Sequence, residues 1–240
     1  MKQLLIWVSF IFTLASTYSW ALSPSLSIKG EVYREFGFEI RDAGKLTPRQ
    51  LSFVQDQLRF GPLHRFVPLK LRAIQMRDAI PGVAQAFGVY SPFEEVIYLS
   101  TDFDRFEEAV IHEIFHVISF QYPNSYIDFL KQSGWKVDRV RGSDFYTFSW
   151  VDEVEISYSV SGSEFEFRFE LEKFGSALNF PVFPSDYSKA GPAEMFAEIG
   201  TATTLILNNT SSPHYDLVQF SKTALAQWMI EFIEKGNLNP

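Results

Sequence analysis

The chain has 240 residues, a formal charge of −8, 46% hydrophobic residues and 17% aromatic residues. That is ample material for the core of one sizeable domain or two small ones. The acidic balance, without a basic block, speaks against nucleic acid and against attachment to anionic lipid, since both need clustered Lys and Arg. Cysteine is absent, so no disulfide supports the fold, and a bound metal would have to be held by His and carboxylate.

The amino terminus has the pattern of a secretion signal. Met1-Lys2 gives a positive start, Leu4 to Ala15 is almost wholly apolar, and Ser19-Trp20-Ala21 places small residues where cleavage requires them. The apolar run is shorter than the roughly 20 residues of a membrane span. The expectation is a signal peptide over 1–21, a single domain over 22–240, a secreted or periplasmic location and no stable membrane anchor after cleavage.

Residues 22–45 show no clear period. The stretch 47–62 reads as a helix: Thr47 can cap it, Pro48 suits its first turn, and Leu51, Val54 and Leu58 recur at helical spacing. Alternating Leu69, Leu71 and Ala73 predict a strand. Two extended pieces follow around Ser91-Pro92, the second from Val96 to Leu99. A helix capped by Thr101 or Asp102 should then run to about Phe120, because Pro123 stops it. A second helix is expected over 124–135, ending at Gly134. Residues 151–174 alternate on both sides of Ser161-Gly162-Ser163, which predicts an inserted β-hairpin. Pro192 opens another helix, and 217–236 reads as one closing amphipathic helix.

The stretch from Val110 to Ile118 carries the chemistry. The chain holds 4 His, and two of them, His112 and His116, stand one helical turn apart on the same face. Both can present a ring nitrogen to one ion. Glu113 is rotated about 100° from His112, so it flanks that ion as a general base would. The alternative is a pair of ordinary surface or capped histidines. The apolar neighbours Ile111, Ile114, Phe115, Val117 and Ile118 argue against it, because two unpaired buried histidines are costly.

The third ligand decides the class. Ser119 and Tyr122 stand where a metzincin needs Gly and His. The gluzincin arrangement needs a glutamate on a later helix, and residues 193–198 offer Glu194 with Glu198 one turn on. Glu194 would complete a His₂Glu site, and Glu198 would hydrogen-bond the far nitrogen of a ligating His. A solvated acidic face is the alternative for this pair, and His214 is the rival third ligand. Tyr187 offers a phenol that can stabilise negative charge on a carbonyl oxygen, or it is one loop tyrosine among 10.

Tyr187 to Glu198, in "YSKAGPAEMFAE", together with the HExxH of 112–116, resembles the catalytic domain of anthrax lethal factor and related secreted proline-specific endopeptidases. Residues 88–100 and 129–135 are also similar to segments of that family, and the likeness spans roughly 80–205. The resemblance implies an α+β, zincin-like metalloprotease domain with a small mixed sheet, an HExxH helix and a second Glu-bearing helix. It makes His112, His116 and Glu194 the Zn2+ ligands, Glu113 the general base and Tyr187 the oxyanion donor. This chain departs from the family in the length of 117–193, to which the hairpin would contribute. The resemblance puts the strand before the HExxH helix at the sheet edge, where a peptide could add by main-chain hydrogen bonds; the alternative is an interior strand.

The expected function is hydrolysis of peptide bonds by an exported zinc endopeptidase, with water on the zinc activated by Glu113. Two other readings stay open. One is a non-catalytic zincin-like binding or toxin module; the other is a zinc hydrolase of a non-peptide amide, such as a cell-wall component.

Overall fold

The computed structural model describes residues 36–78, 80, 87–100, 105–133, 136–139, 145–150, 154–159, 183–189 and 191–236. The expected signal peptide, the caps Thr101 and Asp102, and positions 151–153 and 160–174 of the expected hairpin lie outside the described residues. Contacts divide the described chain into two units, one from 123 to 159 and the other from 36–122 with 183–236.

The larger unit has an α+β arrangement around a small mixed sheet. Its strands are β1 (Glu39–Arg41), β2 (Ala73–Arg77), β3 (Gly88–Ser91) and β4 (Val96–Ser100), in the spatial order β1-β2-β4-β3. β1 and β4 run parallel to β2, and β3 runs antiparallel to β4. A parallel pair requires a crossover. Helix α1 (Pro48–Arg59) supplies it between β1 and β2. Thr47 starts this helix with a capping box: Gln50 N–H donates to Thr47 Oγ1, and Thr47 N–H donates to Gln50 Oε1.

Two expectations about the sheet are corrected. The strand expected within 64–76 from the alternation of Leu69, Leu71 and Ala73 begins only at Ala73. Leu69 and Leu71 are buried, but they lie in the irregular approach to β2, so their alternation tracks burial and not a ladder. The strand Val96 to Leu99, expected at an edge, is interior, paired with β2 on one side and β3 on the other. A tight turn at 92–95, with Glu95 at φ 54, folds β3 back onto it. Among the described residues the two edges are β1 and β3, and β3 takes the edge beside β4.

Helix α2 (Phe106–Gln121) carries the two histidines. Helix α4 (Pro192–Leu207) starts with Pro at its first position, where the absent N–H costs nothing. α2 packs against β3 and β4 and, most extensively, against α4. Being covered on several sides explains its apolar character: Val110, Ile111, Ile114, Phe115, Val117 and Ile118 are all fully buried. Gly200 permits the close approach of α4, because a Cβ there would stand 2.4 Å from the Phe115 ring.

The closing helix expected over 217–236 is two helices, α5 (Leu217–Phe220) and α6 (Ala224–Lys235). The break falls where Thr223 caps α6, its hydroxyl accepting the Ala226 N–H. Phe232 of α6 joins Phe66, Tyr122 and Phe196 in an aromatic cluster, with ring centroids 5.1, 6.4 and 6.0 Å from its own. No described helix is long and apolar enough to cross a membrane.

The smaller unit contains helix α3 (Pro123–Gln132) and three antiparallel strands, β5 (Lys136–Arg139), β6 (Phe145–Trp150) and β7 (Val154–Ser159), in that spatial order. β7 is the first arm of the expected hairpin. Its described partner is the upstream strand β6, in register from Phe145↔Ser159 to Trp150↔Val154.

Candidate metal centre

The i, i+4 spacing on α2 sets the two imidazoles face to edge, with ring centroids 4.8 Å apart and their Nε2 atoms 3.1 Å apart. From α4, Glu194 Oε2 reaches within 3.0 Å of His112 Nε2 and 3.5 Å of His116 Nε2. Two ring nitrogens and one carboxylate oxygen thus converge from two packed helices. Ligand atoms of His112, Glu113 and His116 also lie within 4.8 Å of one another. The donor set fits a divalent transition metal: nitrogen and carboxylate oxygen, no thiolate, and both rings close to fully buried.

Glu198, one turn beyond Glu194, sits on the opposite side of His112. Its Oε1 is 2.9 Å from His112 Nδ1. An ionised carboxylate can only accept, so Nδ1 carries a proton, and a ring that lost its other proton to a bound metal would offer its Nε2 lone pair to that ion. The same Oε1 accepts from the Tyr215 hydroxyl at 3.1 Å, and Oε2 accepts from Ser185 Oγ. Burial works against the charge on Glu198, but the donors His112, Ser185 and Tyr215 outweigh it and hold its carboxyl below the usual range.

Burial likewise disfavours a proton on His112. The hydrogen bonds to Glu194 and Glu198, with the charges of Glu194 and Glu113, prevail, and on the protein's own charges its pKa rises to about 10. For Glu194, burial is outweighed by His116 and His112, and the carboxyl is held well below the ordinary range. Glu113 goes the other way. Burial raises its pKa, aided by the negative charge of Glu194 and only partly offset by the histidines. The backbone of Tyr90 on β3 works in the opposite direction and favours the charged form. Gly88, two residues earlier, makes room for the Glu113 side chain: a Cβ at Gly88 would lie 2.6 Å from Glu113 Cγ and 2.7 Å from Oε1.

Tyr187 lies on a short 3-10 helix, Asp186–Lys189, between Ser185 and α4. Its ring centroid is 6.0 Å from that of His112, and the residue is 55% exposed. Partial enclosure and the nearby charges of Glu194 and Glu113 push its phenol upward, so it remains protonated and able to donate. His214, the rival third ligand, is exposed, with its N–H donated to Ser212 Oγ. Ser119 does not imitate the metzincin glycine; its hydroxyl donates to the His116 carbonyl at 2.7 Å.

All six residues singled out in the sequence, His112, Glu113, His116, Tyr187, Glu194 and Glu198, therefore meet in the larger unit. Sequence reasoning missed Gly88, Ser185 and Tyr215. Glycine two residues before Tyr90 and a serine ahead of Tyr187 carry no pattern of their own, and Tyr215 follows His214 in an irregular segment. Comparison of the chain with protein-family models, with curated proteins and with solved structures gave no match.

Proposed function

We propose that this protein is a zinc-dependent endopeptidase with a zincin-like catalytic domain of the gluzincin type. The observation that carries this reading is the convergence of His112 Nε2, His116 Nε2 and Glu194 Oε2 beside the buried carboxylate of Glu113. The three donors would hold the ion, and the absence of cysteine together with the N₂O donor set favours zinc. The likeness of residues 112–116 and 187–198 to the lethal factor family supports the same reading, and the signal-like amino terminus supports export to the periplasm or the medium.

When bound, zinc supplies Lewis-acid polarisation of a carbonyl oxygen and acidification of water. The chain's own residues do the rest. Glu113, with its pKa raised by burial, takes a proton from the attacking water and hands it to the leaving amine. Tyr187 donates its O–H to the carbonyl oxygen as negative charge develops there. Glu198 fixes the His112 ring with Nε2 toward the other ligands.

The test is an assay of the purified mature protein against casein and a peptide library, with and without chelator, alongside metal analysis. Chelator-sensitive cleavage and one zinc per chain support the proposal. Metal binding without cleavage by the wild type would point to a binding module, and release of acyl groups only from non-peptide amides would move the activity to another substrate class.

A further inference from the structure

Glu198 does more than face His112. It is 5% exposed, and each of its oxygens is claimed: Oε1 by His112 Nδ1 and the Tyr215 hydroxyl, Oε2 by Ser185 Oγ. Ser185 is also built into the turn that carries Tyr187. Its Oγ accepts the Ser188 N–H at 3.3 Å and lies 3.2 Å from Ser188 Oγ, and Ser188 is fully buried. It thus caps the 3-10 helix Asp186–Lys189 while donating to Glu198. A main-chain bond of 3.1 Å from Asp216 N–H to the Pro184 carbonyl joins this segment to the one bearing Tyr215. Tyr187 itself is 55% exposed. The ring rests against His112 on one side only, so its direction depends also on the turn beneath it.

We propose that Ser185 is a positioning residue: its hydroxyl ties the Tyr187 turn to Glu198, so one carboxylate orients both the metal-facing imidazole of His112 and the phenol of Tyr187. This inference rests on the role proposed above for Tyr187. Loss of the Ser185 hydroxyl releases the turn without touching a metal ligand. The phenol then samples directions from which it cannot reach the reacting carbonyl.

The experiment uses the full protein in the wild type and in Ser185→Ala, Ser185→Thr, Tyr187→Phe and the Ser185→Ala/Tyr187→Phe double variant. Peptide kinetics, zinc content and the ¹⁹F spectrum of 3-fluorotyrosine-labelled protein are recorded for each, and Tyr187→Phe assigns the Tyr187 resonance. Ser185→Ala should lower kcat by about 10-fold with KM unchanged, keep its zinc and shift the Tyr187 resonance. Ser185→Thr, which keeps the hydroxyl, should restore both. In the Tyr187→Phe background, Ser185→Ala should cost nothing further, because the two act through one group. An equal loss in both backgrounds, or a Tyr187 resonance unmoved by Ser185→Ala, would overturn the inference. A Tyr187→Phe enzyme with wild-type kcat would instead remove the oxyanion role of Tyr187, and the ¹⁹F result would still decide what Ser185 positions.

Discussion

Gly88 on the edge strand lies directly against Glu113 on the neighbouring helix: a Cβ on Gly88 would stand 2.6 Å from Glu113 Cγ and 2.7 Å from Oε1. The Glu113 side chain is buried, so it can yield to an added methyl only by leaving its present position. Gly88→Ala should therefore bind zinc as the wild type does and lose roughly 10²-fold in kcat, the usual cost of misplacing a reacting group by about 1 Å. Glu113→Asp, with one methylene fewer, should make the protein much less sensitive to Gly88→Ala. Kinetics of the four proteins of this cycle, with zinc measured in each, checks the coupling.

Gly200 plays the corresponding part between the two helices that hold the cluster. By propensity alone, alanine inside a helix is better than glycine by about 1 kcal/mol. Here the added Cβ would meet the Phe115 ring at 2.4 Å, and overpacking costs about 1–3 kcal/mol. Gly200→Ala should thus destabilise the protein despite its propensity, and Gly200→Val should do so more. Because α2 and α4 would contribute separate ligands to the proposed site, the forced separation should also weaken metal binding. Denaturant unfolding with and without zinc separates the two effects.

How much of this was legible in the sequence follows from the range of the interactions. The cap at Thr47, the proline that opens α4 and the face shared by His112 and His116 are local, and each is visible within a few residues of sequence. Glu194 and Glu198 were readable because one helix carries both. Strand order is a choice among distant segments, and no local pattern says that β3 rather than β4 takes the edge. Alternation at Leu69 and Leu71 marked burial correctly but not hydrogen bonding. The apolar stripe over 217–236 runs through the break at Thr223, so periodicity alone joined two helices. Ser185 and Tyr215 reach Glu198 from separate segments, a relation that only the folded chain creates.

The assignment of Glu194 can be tested through metal retention. Its Oε2 lies by both imidazoles, whereas His214 is exposed. Glu194→Ala should lose zinc on dialysis, with affinity falling more than the 10–100-fold typical of residues that only orient a ligand. Glu198→Ala should fall within about that 10–100-fold range, and His214→Ala should be unchanged. Zinc should also raise Tm of the wild type, since binding at about 100 times Kd adds about 2.7 kcal/mol of stability. That gain should be absent in Glu194→Ala. Metal analysis and thermal melts with and without chelator check both. Zinc retained by Glu194→Ala but lost from His214→Ala would reverse the ligand assignment.

Glu113 and Tyr187 stand near the same donors yet should fail in different ways when changed. Glu113 is buried beside His112 and His116, so Glu113→Gln keeps the shape while removing the carboxylate proposed to take a proton. It should bind zinc and peptide and lose nearly all turnover. Tyr187→Phe removes one O–H whose partner becomes charged only in the transition state. Binding of the ground state should hardly notice, so kcat and kcat/KM should fall together by roughly 10²–10³-fold while KM stays nearly constant. The burial of Glu113, against the 55% exposure of Tyr187, adds a further contrast. Glu113→Gln relieves a buried charge and should leave stability unchanged or higher, whereas Tyr187→Phe should not alter it. Steady-state kinetics on one cleavable peptide, with zinc content and melting measured in parallel, resolves these expectations. An active Glu113→Gln protein would remove the general-base mechanism, and a Tyr187→Phe protein that lost affinity but kept kcat would make the phenol a binding group.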